Sequence, residues 1–325
     1  MVFGIAQELA ARVRVAARQV PPLRGRAGAS APERQVSVLI PAYNHQRWLG
    51  AALESALGQS LRPSEILCCD DGSGDGTYAV AERYARDFPE VRAWRRENRG
   101  AHATLNELLA AARSPLVAVL NSDDLWHPSR LARCVDALVA APDLAAVATG
   151  LVSIGPDGEP AANEWYDHAT TWARKAGDLA AGLVHGNFLS TTSNLVARRA
   201  SLEALGGFDA LRYTHDLELF LRLLSSGRGL AVLPEALLAY RVHPANTNTQ
   251  KPATVRAEWA AVVAAHLRIC GLEAAALPPE VAGSANAPAA GTALFADALA
   301  LRGLQPTVAE ALARLGAFPD RKSVV

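Results

Sequence analysis

The sequence predicts an α/β protein: an open, mostly parallel sheet flanked by helices, followed by an Ala-rich helical C-terminal tail. Two observations predict the sheet. Five short apolar runs, Val36–Ile40, Glu65–Cys69, Val91–Trp94, Leu116–Leu120 and Leu144–Thr149, are each too short for a helix and rich in residues that suit a buried strand. Between them lie amphipathic stretches of helical length at Trp48–Gly58, Gly76–Phe88, Ala103–Ala112 and Ser129–Ala141. Strands alternating with such helices pair in parallel through right-handed crossovers. A sheet of this kind is of nucleotide-binding type and collects ligands at the carboxyl ends of its strands.

Taken in order, residues 1–20 place Phe3, Ala6, Leu9, Val13 and Val20 at helical spacing with Arg12, Arg14 and Arg18 alongside. This basic amphipathic helix suits docking on its own domain or self-association, and also peripheral contact with the inner face of a membrane. Pro21-Pro22 stops it, and Gly25 to Pro32 reads as a linker. After residue 150 the alternation fades into Gly155–Pro160, a segment bearing Trp165, Tyr166, His168 and Trp172, and a helix from about Asp216 to Ser226. Helical stretches around Val255–Cys270, Ala293–Leu301 and Val308–Leu315 make up the tail. The boundaries fall at 1–34, 35–250 and 251–325.

Composition removes several classes. With 32 basic and 32 acidic residues among 325, the chain lacks the basic excess of a nucleic-acid binder. Half of it is hydrophobic, enough for a full-sized core, yet no run approaches the ~18 apolar residues that span a bilayer. An N-terminal signal segment is not expected, because arginines interrupt it early. Cys68, Cys69, Cys134 and Cys270 match neither a disulfide framework nor a zinc spacing, so the expected compartment is the cytoplasm.

The strand ends carry the polar residues. The first strand ends in Pro41-Ala42-Tyr43-Asn44, the second in Asp70-Asp71-Gly72-Ser73, the third leads to Asn98-Arg99-Gly100, and the fourth to Asn121-Ser122-Asp123-Asp124. Each alone reads equally as a turn or a helix cap. Together they set acidic side chains at one edge of neighbouring strands, where repulsion must be offset by a cation or hydrogen bonds. Asp123-Asp124 has the chemistry of a Mg²⁺ or Mn²⁺ site beside a diphosphate, and also that of an acidic first helical turn. Asp71 to Glu82 fits a calcium loop by spacing, but a strand precedes it where a helix is required. Asp216 falls in the first turn of its helix, whose N-terminus favours the ionised carboxylate, so it is expected to be deprotonated at neutral pH and able to accept a proton.

These motifs, with Gly207-Phe208-Asp209, His215-Asp216 plus Arg222, and Arg241-Val242-His243 in the same order, resemble family 2 glycosyltransferases of the GT-A fold over about residues 35–250. The resemblance divides that region into a nucleotide-binding half, 35–125, and an acceptor-side half, 126–250. It implies inverting transfer of a sugar from a nucleoside diphosphate donor, a UDP-sugar in the first instance, to a hydroxyl. The acceptor would be a glycan, a lipid-linked glycan, or another cell-surface or secondary-metabolite molecule. Pro41, Tyr43, Asn44, Asp70, Asp71, Asn98, Arg99, Ser122 and Asp123 would form the nucleotide-sugar site. Asp123, Asp124 and His243 would hold Mn²⁺ or Mg²⁺, and Asp216 would be the general base. His215, Trp165 and Trp172 would face the acceptor, although the aromatic residues equally suit the core. The family usually has Asp at the position of Asn121 and Glu at that of His215, so ribose or metal contact and acceptor contact differ here. A non-catalytic nucleotide-sugar-binding module and a sugar-phosphate nucleotidyltransferase are the alternatives; the latter would carry a Gly-rich basic signature after the first strand.

Overall fold

The computed structural model describes residues 31–176, 179–246 and 251–269. The amphipathic 1–20 segment, its linker and the tail helices around 293–301 and 308–315 lie outside the described residues.

Eight strands form one mixed sheet in the order β3-β2-β1-β4-β7-β6-β8-β5. They are β1 (Val36–Ala42), β2 (Glu65–Asp70), β3 (Val91–Arg95), β4 (Leu116–Val119), β5 (Leu125–Trp126), β6 (Leu144–Ile154), β7 (Val196–Arg198) and β8 (Gly229–Arg241). The helices are α1 (Leu49–Leu57), α2 (Thr77–Asp87), α3 (Ala101–Ala111), α4 (Arg130–Ala140), α5 (Glu164–Ala176), α6 (Leu179–His185), α7 (Arg199–Ala204), α8 (His215–Ser225) and α9 (Pro252–Ile269). All five sequence-predicted strands are present, and β1 to β4 pair in parallel.

Beyond β4 the pairing changes. β7 runs antiparallel to both β4 and β6, and β5 runs antiparallel to β8. β7 follows a segment that re-enters the sheet at the carboxyl end of β4, so it can only run back. β8 pairs in parallel with β6, with a break where Thr149 faces Leu233 and Gly150 faces Ala236, leaving Pro234 and Glu235 extra. Proline has no amide to offer a ladder and is tolerated at such a bulge. A side chain on Gly150 would stand 3.1 Å from the Pro234 carbonyl, which accounts for glycine opposite it.

Both faces of the sheet are covered, so the central strands read as continuous apolar runs. Leu39 of β1 belongs to a core with Leu105 and Leu108 of α3 and Leu217, Phe220 and Leu221 of α8. Val38 and Ile40 belong to the opposite core, with Leu49 and Leu53 of α1 and Leu131, Val135 and Leu138 of α4. Ala261, Val262 and Val263 place α9 in the first core. His266 Nδ1 lies 2.7 Å from Ser225 Oγ at the end of α8.

Candidate functional site

The strand order reverses between β1 and β4, because the chain leaves β1 toward β2 on one side and returns as β4 on the other. Loops after two such strands separate and leave a crevice at their carboxyl ends, where ligands of open α/β sheets bind. The loop after β1 brings His45 into that crevice, and the loop after β4 brings Ser122 and Asp123.

The β1 and β2 loops lock together. Asn44 adopts a left-handed backbone (φ 52°), which asparagine tolerates. Its amide donates to Ser73 Oγ at 2.9 Å, and its side-chain oxygen accepts from the Gly74 amide at 2.8 Å. Asp70 is fully buried, and its Oδ1 accepts from the amides of Gly72 and Ser73 at 3.1 and 2.9 Å. Asp70 Oδ2 is buried with no partner. Asp71 reaches the third loop, accepting from the amides of Arg99 and Gly100, each at 2.9 Å, while Arg96 lies 3.0 Å away. Gly72 allows this approach: its φ is +78°, and a Cβ there would sit 2.8 Å from the Asn98 amide nitrogen. Pro41 is half-buried at the end of β1, Tyr43 is 48% exposed, and Arg99 is exposed.

At the crevice floor, Asp123 Oδ2 lies 3.1 Å from His243 Nε2 and 3.9 Å from His45 Nε2. His45 Nδ1 is held 2.8 Å from Ser122 Oγ, and Trp48 stacks on His243 with ring centres 4.2 Å apart. Burial pushes the Asp123 carboxyl upward, but the hydrogen bond with His243 and the nearby imidazoles outweigh it and hold it below the usual carboxylate range. Burial also lowers His45, favouring the neutral ring that can ligate a metal. One atom from each of His45, Asp123 and His243 lies within 4.8 Å of the others, and His243 Nδ1 is buried without a partner. Two imidazoles and a carboxylate around one point form a donor set that fits a divalent cation.

Asp124 does not join them. Its Oδ2 accepts from Ser193 Oγ at 2.6 Å and its Oδ1 from the Arg241 amide at 2.9 Å, so both oxygens face the fold. Burial and the neighbouring Asp123 push it well above the usual range. Asn121 is also turned inward, between the hydroxyls of Thr191 and Thr192 at 2.8 and 3.0 Å. Arg241 ties the acidic turn down through the Asp123 carbonyl at 2.7 Å.

Asp216 sits in the first turn of α8 at 8% exposure. Its Oδ1 accepts from the Leu217 amide at 2.7 Å and its Oδ2 from Asn187 Nδ2 at 3.1 Å. Burial nonetheless pushes its carboxyl up to about 7, against the expectation of a fully ionised group. Desolvation here exceeds what the helix terminus and two hydrogen bonds return. His215 is driven down to about 4, first by burial and then by His102, and is neutral. Segment 187–194 joins the two halves of the site: Asn187 holds Asp216, while Thr191 and Ser193 bond Asp124. Four residues of chain separate Asn187 from Thr191, a reach of at most roughly 14 Å. Burial raises the Tyr240 hydroxyl, and the charges of Asp124, Asp123 and Asp216 push it the same way. On α5, Trp165 is 53% exposed beside Gly186, the neighbour of Asn187, whereas Trp172 is half-buried and Tyr166 is core.

His45 and Asn187 were not marked by the sequence reading. His45 directly follows the Pro41–Asn44 motif at a strand end, a position that could have flagged it; Asn187 carries no local signal.

The family model for glycosyl transferase family 2 matches residues 37–206, just over half of the chain. The chain belongs to this family. An uncharacterized glycosyltransferase of Nostoc sp. is 31% identical over 220 residues, 66% of each chain, so the family 2 chain spans just under two thirds of that relative. Among solved structures, residues 1–349 of S. aureus TarS in complex with UDP-GlcNAc align with a TM-score of 0.59 at 17% identity, covering 87% of this chain and 89% of that one. The mannosyltransferase PcManGT of Pyrobaculum calidifontis, in complex with GDP-Man and Mn²⁺, aligns with a TM-score of 0.55 at 21% identity, covering 99% and 86%. These likenesses establish the GT-A arrangement of this glycosyltransferase family member. Among the described residues, no helix is long and apolar enough to cross a membrane.

Proposed function

We propose that this family 2 member transfers a sugar from a nucleoside diphosphate sugar, a UDP-sugar in the first instance, to an acceptor hydroxyl with inversion. The supporting observation is the pairing, across segment 187–194, of an N/O metal-type donor set with a buried carboxyl that titrates near neutrality. The attacking hydroxyl oxygen forms a bond to the anomeric carbon as the bond from that carbon to the diphosphate oxygen breaks. Asp216 takes the hydroxyl proton, and a carboxyl near 7 is matched to that task. The other end of the reaction must stabilise a leaving diphosphate.

His45, Asp123 and His243 would hold a divalent cation, which supplies Lewis-acid neutralisation of the diphosphate when bound. Two imidazoles suit Mn²⁺ better than Mg²⁺, which prefers oxygen ligands and retained water. Asp70 Oδ2, buried and unpartnered, is the acceptor atom for a ribose or base donor. Asp71 and Asn98 shape the loop beside it, Arg99 reaches the nucleotide, and Pro41 and exposed Tyr43 wall the base. Trp165, exposed near Asn187, is the platform proposed for an acceptor sugar face, and His215, the residue before the base, is proposed as a second acceptor contact.

The test is calorimetric titration of UDP- and GDP-sugars with and without Mn²⁺, combined with product stereochemistry. Donor binding dependent on the metal is expected, with Asp216→Asn retaining it and losing transfer. Turnover by that variant near the wild-type rate would remove the base assignment. Wild-type donor binding without turnover on any acceptor would favour the binding-module alternative.

A further inference from the structure

α8 starts without a cap of its own: Thr214 stands at the N-cap and its side chain accepts no bond from the helix. A carboxylate from α9 instead holds the residues that lead into the helix. Glu258, 1% exposed, accepts through Oε1 from the amides of Tyr213 and Thr214, both at 2.7 Å, and from the Thr214 hydroxyl at 2.9 Å. Its Oε2 faces the Arg212 amide at 3.3 Å. A buried amide left without an acceptor is destabilising, so this carboxylate and the 212–214 bend fix each other. The bend runs straight into His215 and Asp216.

We propose that Glu258 is a positioning residue for sugar transfer: from a helix beyond the family match, it sets the first turn of α8 and so the place from which Asp216 meets the acceptor hydroxyl. This rests on Asp216 being the base. Three facts support it beyond simple packing. The bonded groups lie within four residues of Asp216. The bonds go to backbone, so they fix the turn regardless of the side chains at 212 and 213. The Glu258 charge also contributes to raising the Asp216 carboxyl, after burial. The groups bonded to Asp216 are Asn187 from segment 187–194 and the Leu217 amide of its own helix, and Tyr240 of β8 feels its charge.

The experiment compares full-length wild type, Glu258→Gln, Glu258→Ala and Asp216→Asn for donor affinity by calorimetry and for kcat across pH. Glutamine keeps one carbonyl oxygen for Tyr213 and Thr214 but turns an amide toward Arg212. It should lower kcat a few-fold, and alanine should lower it about ten- to hundredfold, the scale of a small misplacement of a catalytic group. Donor Kd should stay within about twofold, and the acid limb of kcat should move to lower pH in both variants, because a negative charge that raises the Asp216 carboxyl is gone. If Glu258→Ala does not fold, Glu258→Gln decides alone. A glutamine variant with wild-type kcat and acid limb overturns the proposal, as does a kcat loss with an unmoved limb. If Asp216→Asn is inactive while Glu258→Gln behaves as wild type, only the Glu258 inference falls. If Asp216→Asn is active, the base reading falls and takes this inference with it.

Discussion

Replacing Asp216 by asparagine should stabilise the protein while abolishing transfer, and the gain should depend on pH. The folded-state value of this carboxyl is raised from 3.8 to about 7, mainly by burial. A raised folded value means that the native state holds its proton more tightly than the unfolded chain. The associated stability is therefore present below 3.8 and is lost as pH rises through 7. At pH 8 burying the ionised group costs about 4 kcal/mol, at 1.36 kcal/mol per pH unit, and at pH 4.5 only about 1 kcal/mol. Asparagine cannot ionise and escapes this cost at both pH values. It disturbs the bond from Asn187, but that disturbance is the same at both. The stability advantage of Asp216→Asn should thus widen by about 3 kcal/mol between pH 4.5 and 8, equivalent to a Tm difference of roughly 6–12 °C. Denaturant unfolding of both proteins at the two pH values, with a chelator present, measures it. An advantage that is equal at both pH values would refute the burial argument, and with it the account of why Asp216 can accept a proton near neutrality.

Other perturbations separate the parts of the site. His45→Ala should weaken Mn²⁺ binding at least about tenfold and leave the weaker Mg²⁺ binding less affected, as followed by Mn²⁺ electron paramagnetic resonance; equal losses for both ions would show that His45 is not a ligand. Asp124→Asn should keep metal binding and Asp123→Asn should lose it, since Asp124 spends both oxygens on Ser193 and Arg241; calorimetry showing the reverse would return Asp124 to the metal. Gly72→Ala should destabilise by about 2 kcal/mol or more, through a left-handed backbone and a clash with the Asn98 amide, read as a lower urea midpoint.

The first half of the sheet was legible because β1, β2 and β4 are self-contained apolar runs with both faces covered, and each of the sequence-predicted strands appears within a residue or two except β6, which runs on to Ile154. β5 and β7, of two and three residues, carry too little pattern to be read. β8 is long, but Pro234-Glu235 interrupts it at the bulge and hides one strand as two fragments. In the site, residues at strand ends were legible as a group, since parallel topology alone sends them to one edge. Of the triad, Asp123 and His243 were named through the family resemblance, whereas His45 meets them only through the fold, and Asp124 reads the same as Asp123 until hydrogen bonds tell them apart. The upward push on the Asp216 carboxyl was not legible for a similar reason: a helix terminus is visible in sequence, while the depth at which it is buried is not.

Segment 187–194 makes a single brace for two chemically opposite tasks. Asn187 grips the carboxyl proposed to receive a proton, and Thr191 and Ser193 grip the turn that presents Asp123. A change in this short stretch therefore disturbs both halves of the reaction at once. On the proposed reading, selection for a new acceptor has little freedom there without penalising use of the donor, and the exposed Trp165 of α5 lies outside this brace.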